Sequence, residues 1–161
     1  MAPDEETVHD RLVATLEAAG VPFSKLHHAP VYTSVEAARV RGSSLHSGAK
    51  ALILKGSKGF VMAVIPANLP LDSRTLRKHL KSKRLRFATP EEVFEMTGLT
   101  PGAIPPFGSF FNLPTICDER LAENESINFN AASHTDSMQM TYRAYVAYES
   151  PEIARIAAET D

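Results

Sequence analysis

Two neighbouring apolar segments constrain the fold of this chain more than any other feature of its sequence. Residues 50–55 (KALILK) are rich in β-forming side chains, and residues 60–66 (FVMAVIP) are apolar almost throughout. The intervening residues 56–59 (GSKG) are typical of a tight turn. The pattern therefore predicts a hairpin of two buried strands.

The segments around this hairpin mix helices and strands without a regular alternation. Apolar residues at helical spacing, with capping, glycine and proline signals, predict helices at 5–19, 34–42, 72–80, 90–97 and 150–159. Strands are predicted at 21–27, 115–118, 127–130 and 138–141, and three glycines with three prolines predict a loop at 98–108. This order favours an α+β fold with a mixed or barrel-like sheet, in one domain spanning 1–161.

Length and composition place the chain among compact globular proteins. Its 161 residues are 43% hydrophobic, which is enough for one core that needs neither disulfides nor metals. A single cysteine cannot form an internal disulfide, so a reducing compartment is favoured. No apolar stretch approaches the ~18 residues of a membrane span. We therefore expect a cytoplasmic protein with no membrane partner.

The distribution of charge leaves one question open. A formal net charge of −2 argues against a protein that coats nucleic acid indiscriminately, and no DNA partner is expected. Seven lysines and arginines nevertheless fall between residues 74 and 86. This run fits either a solvated helix face or a contact with an RNA backbone.

The usual signatures of nucleophilic and metal-dependent catalysis are absent from the sequence. It contains no GxSxG, HExxH, P-loop or GxGxxG motif, and its six histidines do not form ligand-spaced pairs. Cys117 lies in an apolar strand context, which is typical of a buried small hydrophobic residue. We therefore expect neither a bound metal nor a cofactor.

Two local features are the best candidates for chemistry. Lys50 begins an apolar strand, where its ammonium group can face a cleft and bind a phosphate, although an ordinary solvent-facing lysine also fits. The loop 102–108 (GAIPPFG) combines glycines with prolines that restrict the chain. Such a loop can hold backbone amides toward a ligand, or it can be a plain structural turn.

Three segments together carry a family resemblance. Residues 48–55 (GAKALILK), the 102–108 loop with its GxxxP spacing, and residues 128–132 (NFNAA) occur in the order seen in the YbaK/ProX family of aminoacyl-tRNA deacylases. The chain resembles that family over roughly 21–149. The resemblance implies a mixed, barrel-like sheet surrounded by helices, related to the editing domain inserted in bacterial prolyl-tRNA synthetase. It also implies trans-editing, which is hydrolysis of the ester bond of mischarged aminoacyl-tRNA.

The resemblance assigns expected roles to particular residues. By match to the family, Lys50 holds the phosphate side of the terminal adenosine, and the loop that contains Gly102 and Pro106 positions the aminoacyl ester and the attacking water. These three are the catalytic candidates. The substrate-binding candidates are Tyr32, Thr33, Ala51, Ala103, Ile104, Asn130, Ser133 and His134. The implied partner is the transfer RNA 3′ end, with an aminoacyl-tRNA synthetase as an optional second partner.

The expected mechanism needs no covalent nucleophile, because an aminoacyl ester is already activated relative to an amide. Orientation, an ordered water and stabilisation of the oxyanion are sufficient, and the ribose hydroxyl of the adenosine can assist proton transfer. The sequence of residues 129–142 is closer to the branch of the family that is associated with serine or threonine mischarging. Alanine is another possible mischarged amino acid. Two alternatives stay open: a module of the same fold that binds aminoacyl-tRNA or a synthetase without turnover, and a cysteine hydrolase that uses Cys117 with a histidine.

Overall fold

The computed structural model describes residues 7–159 of the chain. Within this range the α-helices are Val8–Ala18 (α1), Ser34–Arg41 (α2), Ser73–His79 (α3), Pro90–Thr97 (α4) and Tyr142–Glu149 (α5). The strands are Ser24–His27 (β1), Ala49–Gly56 (β2), Gly59–Pro66 (β3), Leu85–Phe87 (β4), Thr115–Asp118 (β5), Ser126–Asn130 (β6), Asp136–Thr141 (β7) and Glu152–Ala154 (β8). Short 3-10 helices lie at Leu45–Ser47, Gly108–Phe111 and Glu119–Glu123.

The strands form two sheets, a larger one of mixed direction and a smaller one that is antiparallel throughout. The larger sheet has the order β4-β2-β3-β5-β8, and the smaller has the order β1-β7-β6. The predicted hairpin is confirmed, because β2 and β3 pair antiparallel from Ala49 opposite Pro66 to Gly56 opposite Gly59. The β3–β5 and β5–β8 pairs are parallel. The α+β class is confirmed, but the described strands do not close into a barrel; a single bridge between Gly48 and Asn128 connects the two sheets.

The hairpin separates two hydrophobic cores, because alternate residues of a strand face opposite sides of the sheet. Ala51 and Ile53 face the larger core, which also contains residues of α1, α4, α5 and β6. Leu54 and Ile65 face the smaller core, which α3 covers with Leu76. The two buried strands therefore contribute side chains to both hydrophobic cores, as their apolar sequence indicates.

Local capping signals explain most of the helix boundaries. The Thr89 side chain accepts a hydrogen bond from the Glu92 amide and Glu92 reciprocates, which completes a capping box at the start of α4. Thr33 caps α2, which ends at Gly42 in the left-handed conformation. The predicted first helix is confirmed from Val8 onward, and the remaining residues predicted for its start lie outside the described range.

The predicted closing helix at 150–159 is wrong. The last helix, α5, lies earlier, begins after the capping residue Thr141 and ends at Glu149, before the C-cap Ser150, whose φ is 48°. Residues 152–154 instead form β8, which pairs parallel to β5. Pro151 therefore follows a helix rather than starting one, which is an equally common position for proline. The short strand β4 has no counterpart among the predictions.

A buried carboxylate determines the path of the chain after α5. Asp118 is fully buried and accepts hydrogen bonds from the amides of Ile156 (2.8 Å) and Ala157 (2.7 Å) and from Arg120 Nε (3.1 Å). Burial alone would raise the pKa of Asp118, but the hydrogen bonds from Arg120 and from the backbone outweigh it, so the pKa is lowered. Because Asp118 binds the amides of Ile156 and Ala157, the segment after α5 is extended and does not form the helix that local signals favour at 150–159.

We expect Asp118→Asn to destabilise the fold by about 2–4 kcal/mol, because the amide leaves buried donors without an acceptor. The carboxylate's contribution is complete above its unfolded pKa of about 3.9 and is lost as pH falls through the lower folded pKa. Urea unfolding between pH 3 and 7 measures both effects. The pH-dependent part of the free energy of unfolding should be smaller in Asp118→Asn than in the unmodified protein. The matched control Glu119→Gln removes an exposed ion pair with Arg155 and should change the free energy of unfolding by less than about 0.5 kcal/mol. Equal behaviour of the two variants would contradict the assignment.

Candidate active site

A cavity of about 360 Å³ opens between α2, the first half of β2 and the loop that follows α4. This volume lies within the range of small-molecule sites. The lining residues are Val31, Tyr32, Thr33, Ser34, Ala37, Ala38, Arg41, Ser44, Leu45, Gly48, Ala49, Lys50, Ala51, Leu52, Ala67, Gly102, Ile104, Asn130 and His134.

The wall formed by β2 presents backbone groups to the cavity. The Gly48 carbonyl accepts a hydrogen bond from Ala67 on the β3 side, whereas the Ile53 carbonyl accepts one from Ala88 on the opposite edge. Residues of odd number in β2 therefore direct their peptide groups away from β3. Because β4 pairs only with residues 54–56, the N–H and C=O of Ala51 face the cavity at an open strand edge.

The opposite wall is a tight turn at residues 100–103. The Ala103 amide donates to the Thr100 carbonyl at 3.2 Å, Pro101 occupies the second position and Gly102 the third, with a φ of 92°. This is the pattern of a type II turn, which requires a positive φ at its third residue. The Gly102 N–H donates no hydrogen bond within residues 7–159. The turn therefore supplies an unused amide donor beside the cavity.

The segment after this turn is fixed in the core. The carbonyl of Pro106 accepts a hydrogen bond from the buried Tyr145 hydroxyl at 2.7 Å. The Phe107 ring packs against Phe129 and Tyr145 at centroid distances of 5.4 and 5.5 Å. At Gly108 an added Cβ would lie 2.8 Å from the Leu113 carbonyl, so only glycine fits. These contacts make the loop stiff where it meets the cavity.

A chain of polar side chains connects α2 to the turn. The Arg41 Nε donates to Ser137 at 2.9 Å, and its Nη2 donates to the Asn130 side-chain oxygen at 2.8 Å. The Asn130 side-chain nitrogen in turn donates to the Gly102 carbonyl at 2.6 Å. The two contacts fix the orientation of the Asn130 amide, because its oxygen must face Arg41 and its nitrogen must face Gly102.

His134 also holds the turn. Its Nδ1 lies 3.1 Å from the Val31 carbonyl, and its Nε2 lies 3.0 Å from the Thr100 hydroxyl. A neutral ring satisfies both contacts when Nδ1 carries the proton and Nε2 accepts from Thr100. The ring also lies against Tyr32, with a centroid distance of 4.9 Å. Both nitrogens are occupied, so the arrangement suits a structural histidine better than a free base.

The charges that line the cavity are positive. Lys50 and Arg41 are both present, and no aspartate or glutamate is among the lining residues. Burial lowers the pKa of Arg41 to about 10, so its guanidinium remains charged at neutral pH. A cavity with two cations and no carboxylate favours an anionic ligand.

The structure brings most of the predicted site residues together. Lys50 and Gly102 line the same cavity, as do Tyr32, Thr33, Ala51, Ile104, Asn130 and His134. Ala103, the last residue of the turn, and Pro106 after it are buried, and Ser133 bonds instead with the Thr135 hydroxyl at 2.9 Å. Arg41 was not among the predicted site residues, because in sequence it is indistinguishable from an ordinary basic residue in the last turn of a helix.

Other chemical classes have little support in the described residues. Cys117 is fully buried, and burial raises the pKa of its thiol to about 12, with the Asp118 charge adding to the effect. Across residues 7–159 there is no group of three or more His, Cys, Asp or Glu side chains that could hold a metal ion. No helix in the same range is long and apolar enough to cross a membrane.

The fold and the cavity define an α+β domain that can hold an anionic ligand between a strand edge and a stiff glycine turn. The chain belongs to the aminoacyl-tRNA editing domain family, whose model matches residues 28–148. The predicted family is therefore confirmed. The match spans both walls of the cavity, from α2 to Asn130 at the end of β6 and His134 in the loop before β7.

Individual relatives agree with this assignment. The chain is 34% identical over 150 residues to the multifunctional Ser/Thr-tRNA deacylase ProXp-y of Escherichia coli K12, with 90% of each chain covered. It is 38% identical over 87 residues to a proline–tRNA ligase of Thermotoga sp. RQ2, covering 54% of this chain and 15% of that protein. A solved structure of a candidate trans-editing enzyme for prolyl tRNA synthetase shares the fold, with a TM-score of 0.86, 24% identity and 99% of each chain covered.

We expect Cys117 to resist alkylation in the native protein, because a buried thiol with a pKa of about 12 forms almost no thiolate at pH 8. Mass spectrometry after iodoacetamide treatment should find Cys117 unmodified in buffer and modified in urea. Ester hydrolysis by the treated native protein should be unchanged. Fast labelling with loss of hydrolysis would instead favour the cysteine hydrolase hypothesis.

Proposed function

We propose that the chain is a trans-acting deacylase that hydrolyses the ester of transfer RNA mischarged with serine or threonine. One observation carries the proposal: the cation Lys50, the free Gly102 amide and the edge of β2 at Ala51, which β4 leaves unpaired, border a single cavity. These are the parts that an ester on an RNA end requires. The name of the Escherichia coli relative supports the choice of serine and threonine.

The reaction is attack by water on the ester carbonyl. The water oxygen bonds to the carbonyl carbon, the bond to the ribose oxygen breaks, and a proton from the water passes to that ribose oxygen. The products are the free amino acid and the uncharged RNA. Since negative charge develops on the carbonyl oxygen, oriented amide donors lower the barrier by several kcal/mol.

Lys50 is assigned to the phosphate of the terminal adenosine. Its side chain is exposed at the start of β2, where the ammonium can reach into the cavity or toward its rim. An ammonium is a point donor that suits phosphate without strict geometry. A bound phosphate would fix the RNA end, so that the attached ester lies between β2 and the turn.

The Gly102 turn and the Ala51 edge are assigned to the ester and the water. The Gly102 N–H and the Ala51 N–H are both backbone donors on the cavity wall, and both are carried by rigid segments. One can hold the developing oxyanion while the neighbouring carbonyl groups orient the water. The buried Ala103, at the end of the turn, and Pro106, after it, then keep the turn in place.

Selectivity is assigned to the wall formed by α2. Ala37 and Ala38 keep the lining short, and Thr33, Ser34 and Ser44 provide hydroxyl groups near it. Short side chains limit the volume of the bound amino acid, and hydroxyl groups offer partners for a serine or threonine side chain. Alanine fits the same space but lacks the hydroxyl, so it should be a poorer substrate.

Purified protein incubated with transfer RNAs charged with serine, threonine, alanine or proline tests the proposal. We expect rapid ester loss for serine and threonine, slower loss for alanine and none above background for proline. Lys50→Ala should lower kcat/KM by roughly 10- to 150-fold, the equivalent of one charge-assisted hydrogen bond. The matched control Lys25→Ala, an exposed lysine on β1, should leave the rate unchanged.

Two results would oppose the proposal. Full activity of Lys50→Ala would remove this lysine from its role. Binding of charged RNA without ester loss, across every amino acid tested, would instead favour a binding module of the same fold.

We further propose that the basic surface at the hairpin tip, defined here as Lys55, Lys58, Lys81, Lys83 and Arg84, contacts the RNA backbone. A groove lined by residues 55–57 and 84–86 runs beside it. Within the described chain none of the five pairs with a carboxylate, whereas Arg86 pairs with Glu92. Lys55 lies five residues along β2 from Lys50, which is about 17 Å. An RNA stem can therefore reach this surface while its 3′ end occupies the cavity.

The double variant Lys83→Ala/Arg84→Ala tests this contact. We expect a several-fold higher KM for full-length charged RNA, and a slope of log KM against log salt reduced by about 1 per lost phosphate contact. A short aminoacylated 3′-end oligonucleotide should show no change, and neither should the control Lys25→Ala/Arg143→Ala. If KM is unchanged but the protein aggregates, these cations instead protect the edge strand β4 from pairing with other chains.

A further inference from the structure

Arg41 is a cation in an unusual setting. It lies at the end of α2 and is partly buried, yet its two hydrogen-bond acceptors are the uncharged side chains of Ser137 and Asn130. No carboxylate within residues 7–159 forms an ion pair with it. Partly burying a guanidinium without a counter-charge costs stability, so its placement calls for a compensating role.

The contacts of Arg41 lead to the turn that borders the cavity. The guanidinium holds the oxygen of the Asn130 amide, and this leaves the amide nitrogen free to hold the Gly102 carbonyl. Ser137 receives the Nε and prevents the guanidinium from rotating; its hydroxyl also lies 2.8 Å from His28 Nε2. The planar fork of arginine suits two acceptors at fixed positions, which a lysine cannot reproduce.

Glycine turns of this kind have two accessible forms. The peptide between the second and third residues can flip, which converts a type II turn into a type I turn and reverses the direction of the third residue's N–H. The φ of 92° at Gly102 belongs to the type II form. The flip rotates the Pro101–Gly102 peptide and leaves the Gly102–Ala103 peptide nearly in place, so a hydrogen bond to the Gly102 carbonyl fixes where the turn lies rather than which of the two forms it takes.

We propose that Arg41 is a positioning residue of the site: acting through the Asn130 amide, it holds the Gly102 carbonyl and so fixes the position of the turn, with its free Gly102 N–H, beside the cavity. The proposal rests on the proposed function for its catalytic readout. Its structural part, the coupling of Arg41 to the position of the Gly102 turn, does not need a substrate.

The variant Asn130→Asp separates positioning from stability. An aspartate keeps an acceptor for Arg41 and adds a counter-charge, but it loses the donor to the Gly102 carbonyl. We expect it to retain or raise the thermal midpoint while kcat falls roughly 10- to 100-fold, with KM changed less than about 2-fold. Arg41→Gln and Arg41→Lys should lower kcat to a similar extent, and the lysine should not rescue it.

A double-mutant cycle tests the path of the coupling. If Arg41 acts through Asn130, the double variant Arg41→Gln/Asn130→Ala should be no slower than the slower single variant. Losses that multiply would overturn the proposal. So would a raised KM with normal kcat and rescue by Arg41→Lys, because that result would make Arg41 a direct ligand of the RNA phosphate. A normal kcat in Asn130→Asp would show that Arg41 has a purely structural role, and this result would also overturn the proposal.

The amide resonance of Gly102 gives a readout without substrate. In the unmodified protein we expect one sharp signal, and in Arg41→Gln and Asn130→Asp a shifted or exchange-broadened one, with Gly59 at the hairpin turn unchanged as the internal control. An unchanged Gly102 signal in both variants would contradict the coupling. If the unmodified protein fails to hydrolyse any charged RNA but the signal responds as expected, the proposed function fails and the coupling stands.

Discussion

The site depends on the incomplete pairing of strand β2. Along one edge the strand is paired with β3 over its full length, but along the other edge β4 covers only residues 54–56. The first half of that edge is left for the cavity, with a bridge to Asn128 at its beginning. A strand that is rigid on one side and unpaired on the other can present peptide groups to a ligand without losing its own position. The backbone of Lys50, at the start of β2, is held in place by the same pairing with β3.

The facing wall achieves rigidity by different means. The glycine turn at residues 100–103 has no long sheet to support it, and it is held from three directions by side chains. Tyr145 anchors the following segment from the core, His134 holds the start of the turn, and Asn130 holds its third residue. All three originate in the second half of the chain. The turn is thus held by the small sheet, the loop between β6 and β7, and α5 rather than by the hairpin.

Local sequence signals predicted the parts of the fold that local interactions determine. The hairpin follows from two β-forming segments and a glycine turn, and α4 follows from a threonine cap, a proline and a terminal glycine. The closing helix was wrong because the amides of Ile156 and Ala157 bond to Asp118, which lies 38 and 39 residues away in sequence. No window of sequence around Pro151 contains that information. Strand β4 was missed because three residues, two of them exposed, carry almost no pattern.

The distinction between local sequence signals and long-range contacts applies to the site as well. Lys50 and Gly102 stand out because an unusual residue occurs in a recognisable segment, and both line the cavity. Arg41 does not stand out, since a basic residue in the last helical turn is ordinary. Its position is meaningful only through Asn130 and Ser137, which lie 89 and 96 residues further along the chain. Contacts of this length are set by the packing of α2 against the small sheet.

The open edge at Ala51 has a consequence for how this site can change over time. Recognition by peptide N–H and C=O groups does not depend on which side chain a codon specifies, so a mutation at this position alters the volume of the wall while its polar groups persist. If the ester binds at this edge as proposed, specificity for the amino acid can change among descendants of one ancestor while the polar contacts to the ester are retained. An inhibitor that mimics an extended strand would exploit the same property, because single substitutions offer the protein few routes to escape it.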